Sequence, residues 1–95
     1  MNLDYFIDLL SHYDNVYVLF SGTFCNPCKK ILPFFNELSG KYNNIKFIKI
    51  DVNESSDIVD FYNIKHIPTF IYFKNGNKIK EYTGISEKEI ELLIR

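Results

Sequence analysis

The chain has no tryptophan and no alanine, and arginine appears once. Phe, Tyr, Asn, Ile and Lys instead make up 49 of its 95 residues. All five have A/T-rich codons, so this bias is read as a record of genome base composition and carries no functional meaning. Long apolar runs are also missing. The longest is the five residues Val16 to Phe20, against the roughly 20 needed to span a bilayer. The opening Met1-Asn2-Leu3-Asp4 lacks a basic segment followed by a long apolar stretch, so no export signal is read and the cytoplasm is the expected location. Neither sign of charge dominates: eleven basic residues are interspersed with twelve acidic ones for a net charge of −1. That leaves no electrostatic footprint for nucleic acid or an anionic membrane, and neither is expected as a partner. There are only two cysteines, and size alone demands neither a metal nor a disulfide staple. What the chain does have is material for a dense core, with nine Phe, seven Tyr and thirteen Ile in a sequence that is 46% hydrophobic and 24% charged. At less than a typical domain length of about 150 residues, positions 1–95 are expected to form a single domain.

The apolar pattern orders the elements. Leu3, Phe6, Ile7 and Leu10 recur at helical spacing behind Asn2 as N-cap, predicting a first helix over about residues 3–12. Val16 to Phe20 is apolar on both faces, as a central strand covered by helices would be. Ile31, Phe34, Phe35, Leu38 and Tyr42 form a second helical stripe that ends at Asn43-Asn44 and carries Pro33, where a kink is expected. Residues 45–52 read as a strand whose Lys46 and Lys49 guard a sheet edge. Ser55-Ser56-Asp57 can cap a short helix bearing Ile58, Phe61 and Tyr62, with Asn63 suited to the left-handed position after it. Thr69 to Phe73 and Lys78 to Thr83 flank Asn75-Gly76, a strong hairpin signal. Ser86 with Glu89 three residues on makes a capping box before Ile90, Leu93 and Ile94. The order αβαβαββα implies an α/β fold, with a mixed four-stranded sheet flanked by four helices on its two faces.

Chemistry points to the run Phe24-Cys25-Asn26-Pro27-Cys28-Lys29, between a buried strand and a helix start. The unpaired N–H groups and dipole of a helix N-terminus favour an anion, so the Cys25 thiol is expected below its ordinary pKa and becomes the nucleophile. Cys28, one turn inward, is placed to attack a mixed disulfide on Cys25 and becomes the resolving thiol. Pro27 has a φ already suited to the first helical turn and no N–H to leave unpaired. Three other readings of the pair stay open. Half a zinc site would need two more ligands, and His12 and His66 lie at no recognised spacing from the cysteines. The pair can be merely buried, or a structural disulfide, although a cytosolic setting disfavours the latter. A Cys-x-x-Cys beside a βαβ pattern is read first as redox-active. His66-Ile67-Pro68-Thr69 sets a proline at a strand entrance, which taken alone is ordinary punctuation.

Taken together, the Cys-x-Pro-Cys-Lys run after a buried strand, Pro33 five residues beyond Cys28, the Ile67-Pro68-Thr69 step, the Phe73-Lys74-Asn75-Gly76 hairpin and Gly84 resemble the thioredoxin family over nearly the whole chain. The resemblance implies the thioredoxin fold without the short strand that usually precedes the first helix, which would leave the residue 45–52 strand as a bare edge. It also implies that Pro68 is a cis-proline facing the cysteines. There it would help the Ile67 backbone pair with an extended client segment and keep metal from the dithiol. Phe24 and Gly84 would line the same groove, and Asn26, Pro27 and His66 would border the bound client.

The departures from the family pattern matter as much. Phe24 stands where Trp is usual and Asn26 where Gly is usual, while Leu19 and Phe47 replace a buried Asp and Lys. An apolar pair spares the desolvation of two charges, so stability should not suffer. The family carboxylate is thought to help deprotonate the resolving cysteine, so its loss leaves Cys28 to rely on water or a client group, with His66 a weaker candidate. Lys29 and Lys30 are read as solvated helix residues, and Asp51 as the residue that ends its strand and caps the turn. The expected activity is reduction of protein disulfides by dithiol exchange, with no metal and no organic cofactor because the dithiol carries the electrons. Expected partners are disulfide-bearing client proteins and a thioredoxin reductase or other electron donor, with the chain itself a monomer. A disulfide oxidase or isomerase, or a binding adaptor of the same fold, is the alternative.

Overall fold

The structure, a computed structural model, describes residues 1–95. Its elements are α1 (Leu3–His12), β1 (Asn15–Ser21), α2 (Asn26–Lys41), β2 (Lys46–Asp51), α3 (Ser56–Phe61), β3 (Thr69–Lys74), β4 (Asn77–Thr83) and α4 (Glu87–Leu92). The strands form one open sheet in the order β2-β1-β3-β4. β2 runs parallel to β1, while β3 pairs antiparallel with β1 and β4 antiparallel with β3. β2 is thus an edge, with Lys46 and Lys49 exposed on it.

Because strand side chains alternate between faces, β1 feeds two separate cores. Val16, Val18 and Phe20 pack with Phe6 and Leu10 of α1 and Ile58 of α3. Tyr17 and Leu19 point the other way, to Ile31, Phe35 and Leu38 of α2 and Ile90 of α4. Phe6, Phe20 and Phe70 are fully buried, each a site where truncation to Ala costs about 3–5 kcal/mol. Burial also pushes the Tyr17 phenol well above its usual pKa, so it stays protonated. Its hydroxyl donates to the Ile90 carbonyl at 2.6 Å, holding α4 to the sheet. A second tether joins α4 to the end of α2, where Lys41 Nζ and Tyr42 OH donate to Glu91 Oε2 at 2.7 and 2.6 Å.

Local chemistry sets most element ends. Asn2 Oδ1 accepts the Tyr5 N–H at 2.8 Å at the start of α1. Asn63 takes a positive φ of 55° just past α3, and Asn75 and Gly76 at 51° and 82° make the tight β3–β4 turn. Two expected caps are built differently. Ser55 makes no side-chain cap to α3; its hydroxyl is turned toward the Met1 carbonyl, to which it donates at 2.7 Å. At α4, Ser86 Oγ accepts the Glu89 N–H at 3.3 Å, but the Ser86 N–H goes to Tyr82 OH at 3.1 Å, not back to Glu89. No helix of the molecule is long and apolar enough to cross a membrane.

Candidate redox site

β1 ends at Ser21, and a tight turn brings Cys25 to the N-cap of α2, its N–H donating to the Gly22 carbonyl at 3.2 Å. Cys25 Sγ accepts the Cys28 N–H at 3.2 Å, so the sulfur occupies the place of a capping oxygen at the positive end of the helix. Cys25 and Cys28 are joined as a disulfide with their Cα atoms 5.2 Å apart. Cys25 is half-buried, whereas Cys28 is 1% exposed. Phe24 is 92% exposed beside them, and Asn26 and Pro27 are exposed in the first turn of the helix.

The entrance to β3 comes alongside. The Ile67–Pro68 bond is cis and Pro68 is buried. Thr69 fixes the approach, its Oγ1 donating to the His66 carbonyl at 2.6 Å and lying 2.7 Å from Thr83 Oγ1. From the other side the Gly84 N–H donates to the Pro68 carbonyl at 3.1 Å. Gly22 is a contributor that the sequence reading passed over. A methyl on its Cα would stand 2.8 Å from Ile67 Cδ1, the flexible end of that side chain, and 3.8 Å from Cys25 Cβ, so Gly22 marks where the two loops approach each other. No short motif flags that proximity, because it arises only when the loops are brought together.

His66 is exposed and lines a cleft of about 250 Å³ with Val52, Val59, Ile64 and Ile67. Cys28 lies on a different cavity of the same size, shared with Ser21, Thr23, Lys29, Lys49 and Asp51. His66 is absent from that lining, so the structure does not bring it to Cys28. Leu19 is fully buried in the α2-side core. Phe47 packs edge-on to Tyr17 and Phe35, with ring centroids 5.7 and 5.1 Å away. The interior beneath α2 is therefore apolar at both positions. Asp51 closes β2 as expected, its Oδ1 accepting the Asn53 N–H at 2.8 Å. The largest cleft, about 590 Å³ between Met1, Asn2, Tyr5 and the 54–57 segment, includes neither cysteine. No group of three or more His, Cys, Asp or Glu side chains is placed to hold a metal ion.

Comparison with known proteins agrees with this geometry. Residues 2–95 match the family model described as Thioredoxin. The thioredoxin of Oryctolagus cuniculus is 46% identical over 79 residues, covering 83% of this chain and 75% of that protein. Among solved structures, Plasmodium falciparum thioredoxin superposes with a TM-score of 0.94 at 35% identity, covering 98% of this chain and 91% of the other. Oxidised mitochondrial thioredoxin 3 of Saccharomyces cerevisiae gives 0.92 at 33% identity over 96% and 86% of the two chains.

Proposed function

The chain belongs to the thioredoxin family of protein-disulfide reductases, and from that premise we propose a division of labour at the Cys25–Cys28 pair. The observation that carries it is the asymmetry of the two sulfurs: Cys25 caps the helix and is partly open, while Cys28 is closed off. Cys25 is the nucleophile. Its thiolate, stabilised by the helix start and the Cys28 N–H, attacks one sulfur of a client disulfide. A Cys25–client bond forms, the client bond breaks, and the departing client sulfur takes a proton. Cys28, as thiolate, then attacks Cys25 Sγ. The Cys25–Cys28 bond forms and the second client thiol leaves, so the client gains two electrons and the pair is oxidised. No metal or organic cofactor is required for this exchange.

Pro68 positions the client. With Ile67 beside Cys25 and Gly84 hydrogen-bonded across Pro68, the loop offers an extended segment main-chain groups and little side-chain bulk. Phe24 supplies an exposed apolar face on the same rim, and Asn26, Pro27 and His66 border the client. Residues 1–95 act as one such domain in the cytoplasm, as a monomer, with electrons restored by a thioredoxin reductase or an equivalent donor. The test is reduction of a disulfide-bonded protein driven by dithiothreitol. Activity lost in Cys25→Ser, with Cys28→Ser stalled as a trapped mixed disulfide, supports the assignment. A Cys28→Ser chain that turns over normally while Cys25→Ser traps the client reverses it.

A further inference from the structure

We propose that Asp51 accepts the proton that Cys28 must lose before attacking Cys25, through solvent in the cavity that the two residues share. The proposal rests on the assignment of Cys28 as the resolving thiol. A thiol attacks only as thiolate, and Cys28 is almost fully buried, so its proton needs a way out. The α2-side core offers none: Leu19, Ile31, Phe35 and Phe70 contain no acceptor, and the one hydroxyl there, on Tyr17, stays protonated and is committed to the Ile90 carbonyl.

The β1–β2 ladder provides the exit. On the face toward α2, the residues run from Tyr17 and Leu19 to Ser21 on β1, and from Phe47 through Lys49 to Asp51 on β2, with Ser21 directly opposite Asp51. That face therefore turns from apolar to polar at the carboxyl ends of the strands, next to the start of α2. The result is the cavity of about 250 Å³ on which Cys28 and Asp51 both lie, roomy enough for several waters at about 30 Å³ each. Thr23 and Lys49 on its wall are exposed, so it communicates with bulk solvent.

The carboxylate is held in place. Thr23 Oγ1 donates to Asp51 Oδ2 at 2.9 Å, and the Asn53 N–H donates to Oδ1 at 2.8 Å. Each oxygen keeps a lone pair for solvent. Asp51 is the one acidic residue on the cavity, and the charged side chains facing it are Lys29 from α2 and Lys49 from its own strand. Both are cations that favour a thiolate on Cys28 as the proton departs. The step balances. The proton moves from Cys28 through solvent to Asp51, Cys28 attacks Cys25 Sγ, the Cys25–client bond breaks, and the departing client thiolate takes a proton from solvent as Asp51 releases its own.

A stopped-flow experiment with an asymmetric peptide disulfide, each half carrying its own fluorophore, reads the two thiol releases separately. The first reports Cys25 attack and the second reports Cys28 closure. In Asp51→Asn, closure is expected to slow about tenfold or more relative to attack, within the range of general-base effects, and added formate should restore part of it. A closure-to-attack ratio within about twofold of the unsubstituted chain overturns the proposal. So does a slowing that formate leaves untouched, which marks a merely structural role for Asp51. Should the Asn variant fail to fold, Thr23→Val removes only the clamp on Oδ2. A lowered ratio there supports the assignment, and an unchanged one overturns it. If the unsubstituted chain shows no first release, the parent reading fails and not this inference.

Discussion

Replacing Gly84 with alanine should damage the loop between β4 and α4 from within, and the damage divides into two parts. Gly84 has φ +145°, which side-chain-bearing residues rarely adopt, and its added Cβ would lie 2.5 Å from the Tyr82 hydroxyl oxygen and 2.9 Å from Tyr82 Cζ. Tyr82 cannot swing away freely. Its ring stacks on Phe70 at 6.4 Å, and its hydroxyl holds the Ser86 N–H that starts α4. Backbone strain of this kind costs about 1–3 kcal/mol, and overpacking costs a further 1–3 kcal/mol or so. Gly84→Ala should therefore lose about 2–6 kcal/mol in urea unfolding, a large share of a typical 5–15 kcal/mol or so. In a Tyr82→Ala background only the backbone part remains, so the two substitutions should couple by about 1–3 kcal/mol in favour of the double variant. Coupling below about 0.5 kcal/mol, the ordinary scatter for independent sites, would refute the steric argument. Because the loop also carries the Gly84 N–H to Pro68 carbonyl bond, KM for a protein disulfide should rise in Gly84→Ala.

Leu19→Asp buries a carboxylate in an apolar core, where the exposed Lys49 directly opposite on β2 can answer its charge only in part, and should lower stability at pH 7. Leu19 and Phe47 are diagonal neighbours on the β1–β2 ladder, so adding Phe47→Lys should recover part of that loss in denaturant titrations, and no recovery would contradict the placement. The α4 tether should be acid-sensitive. Hydrogen bonds from Lys41 and Tyr42 hold the Glu91 carboxyl below the usual carboxylate range. A depressed carboxyl contributes fully above its unfolded value and fades as pH falls through its folded one. The Tm deficit of Glu91→Gln at pH 7 should therefore shrink toward pH 3, and a constant deficit would count against the tether.

Much of this was legible in the sequence because it depends on local pattern. The stripe at Leu3, Phe6 and Leu10, the doubly buried Val16 to Phe20 run and the Asn75-Gly76 turn each encode their own geometry. Cys25 could be placed at a helix start for the same reason. What escaped depends on residues distant in the chain. Ser55 has the chemistry of a cap, but the Met1 carbonyl, 54 positions away, takes its hydroxyl. Glu89 could close a capping box, but Tyr82 reaches the Ser86 N–H first. Lys49 and Asp51 read as an edge guard and a strand end. Only the pairing of Ser21 with Asp51, and the folding of α2 over both, turns them into the wall of a cavity beside Cys28. The same blindness made His66 a candidate helper for Cys28, because sequence spacing does not reveal that it lies on another cleft.

The most direct test of the central claim is the reduction potential of the Cys25–Cys28 pair, measured by equilibrating the chain in graded thiol buffers and counting free thiols. The reference figure for thioredoxin, about −270 mV, is the benchmark and is not calculated from this structure. A value near it means that the pair passes electrons to client disulfides, as the account predicts. A value between about −180 and −120 mV would mean that it donates or shuffles disulfides instead, and would contradict the assignment as a reductase.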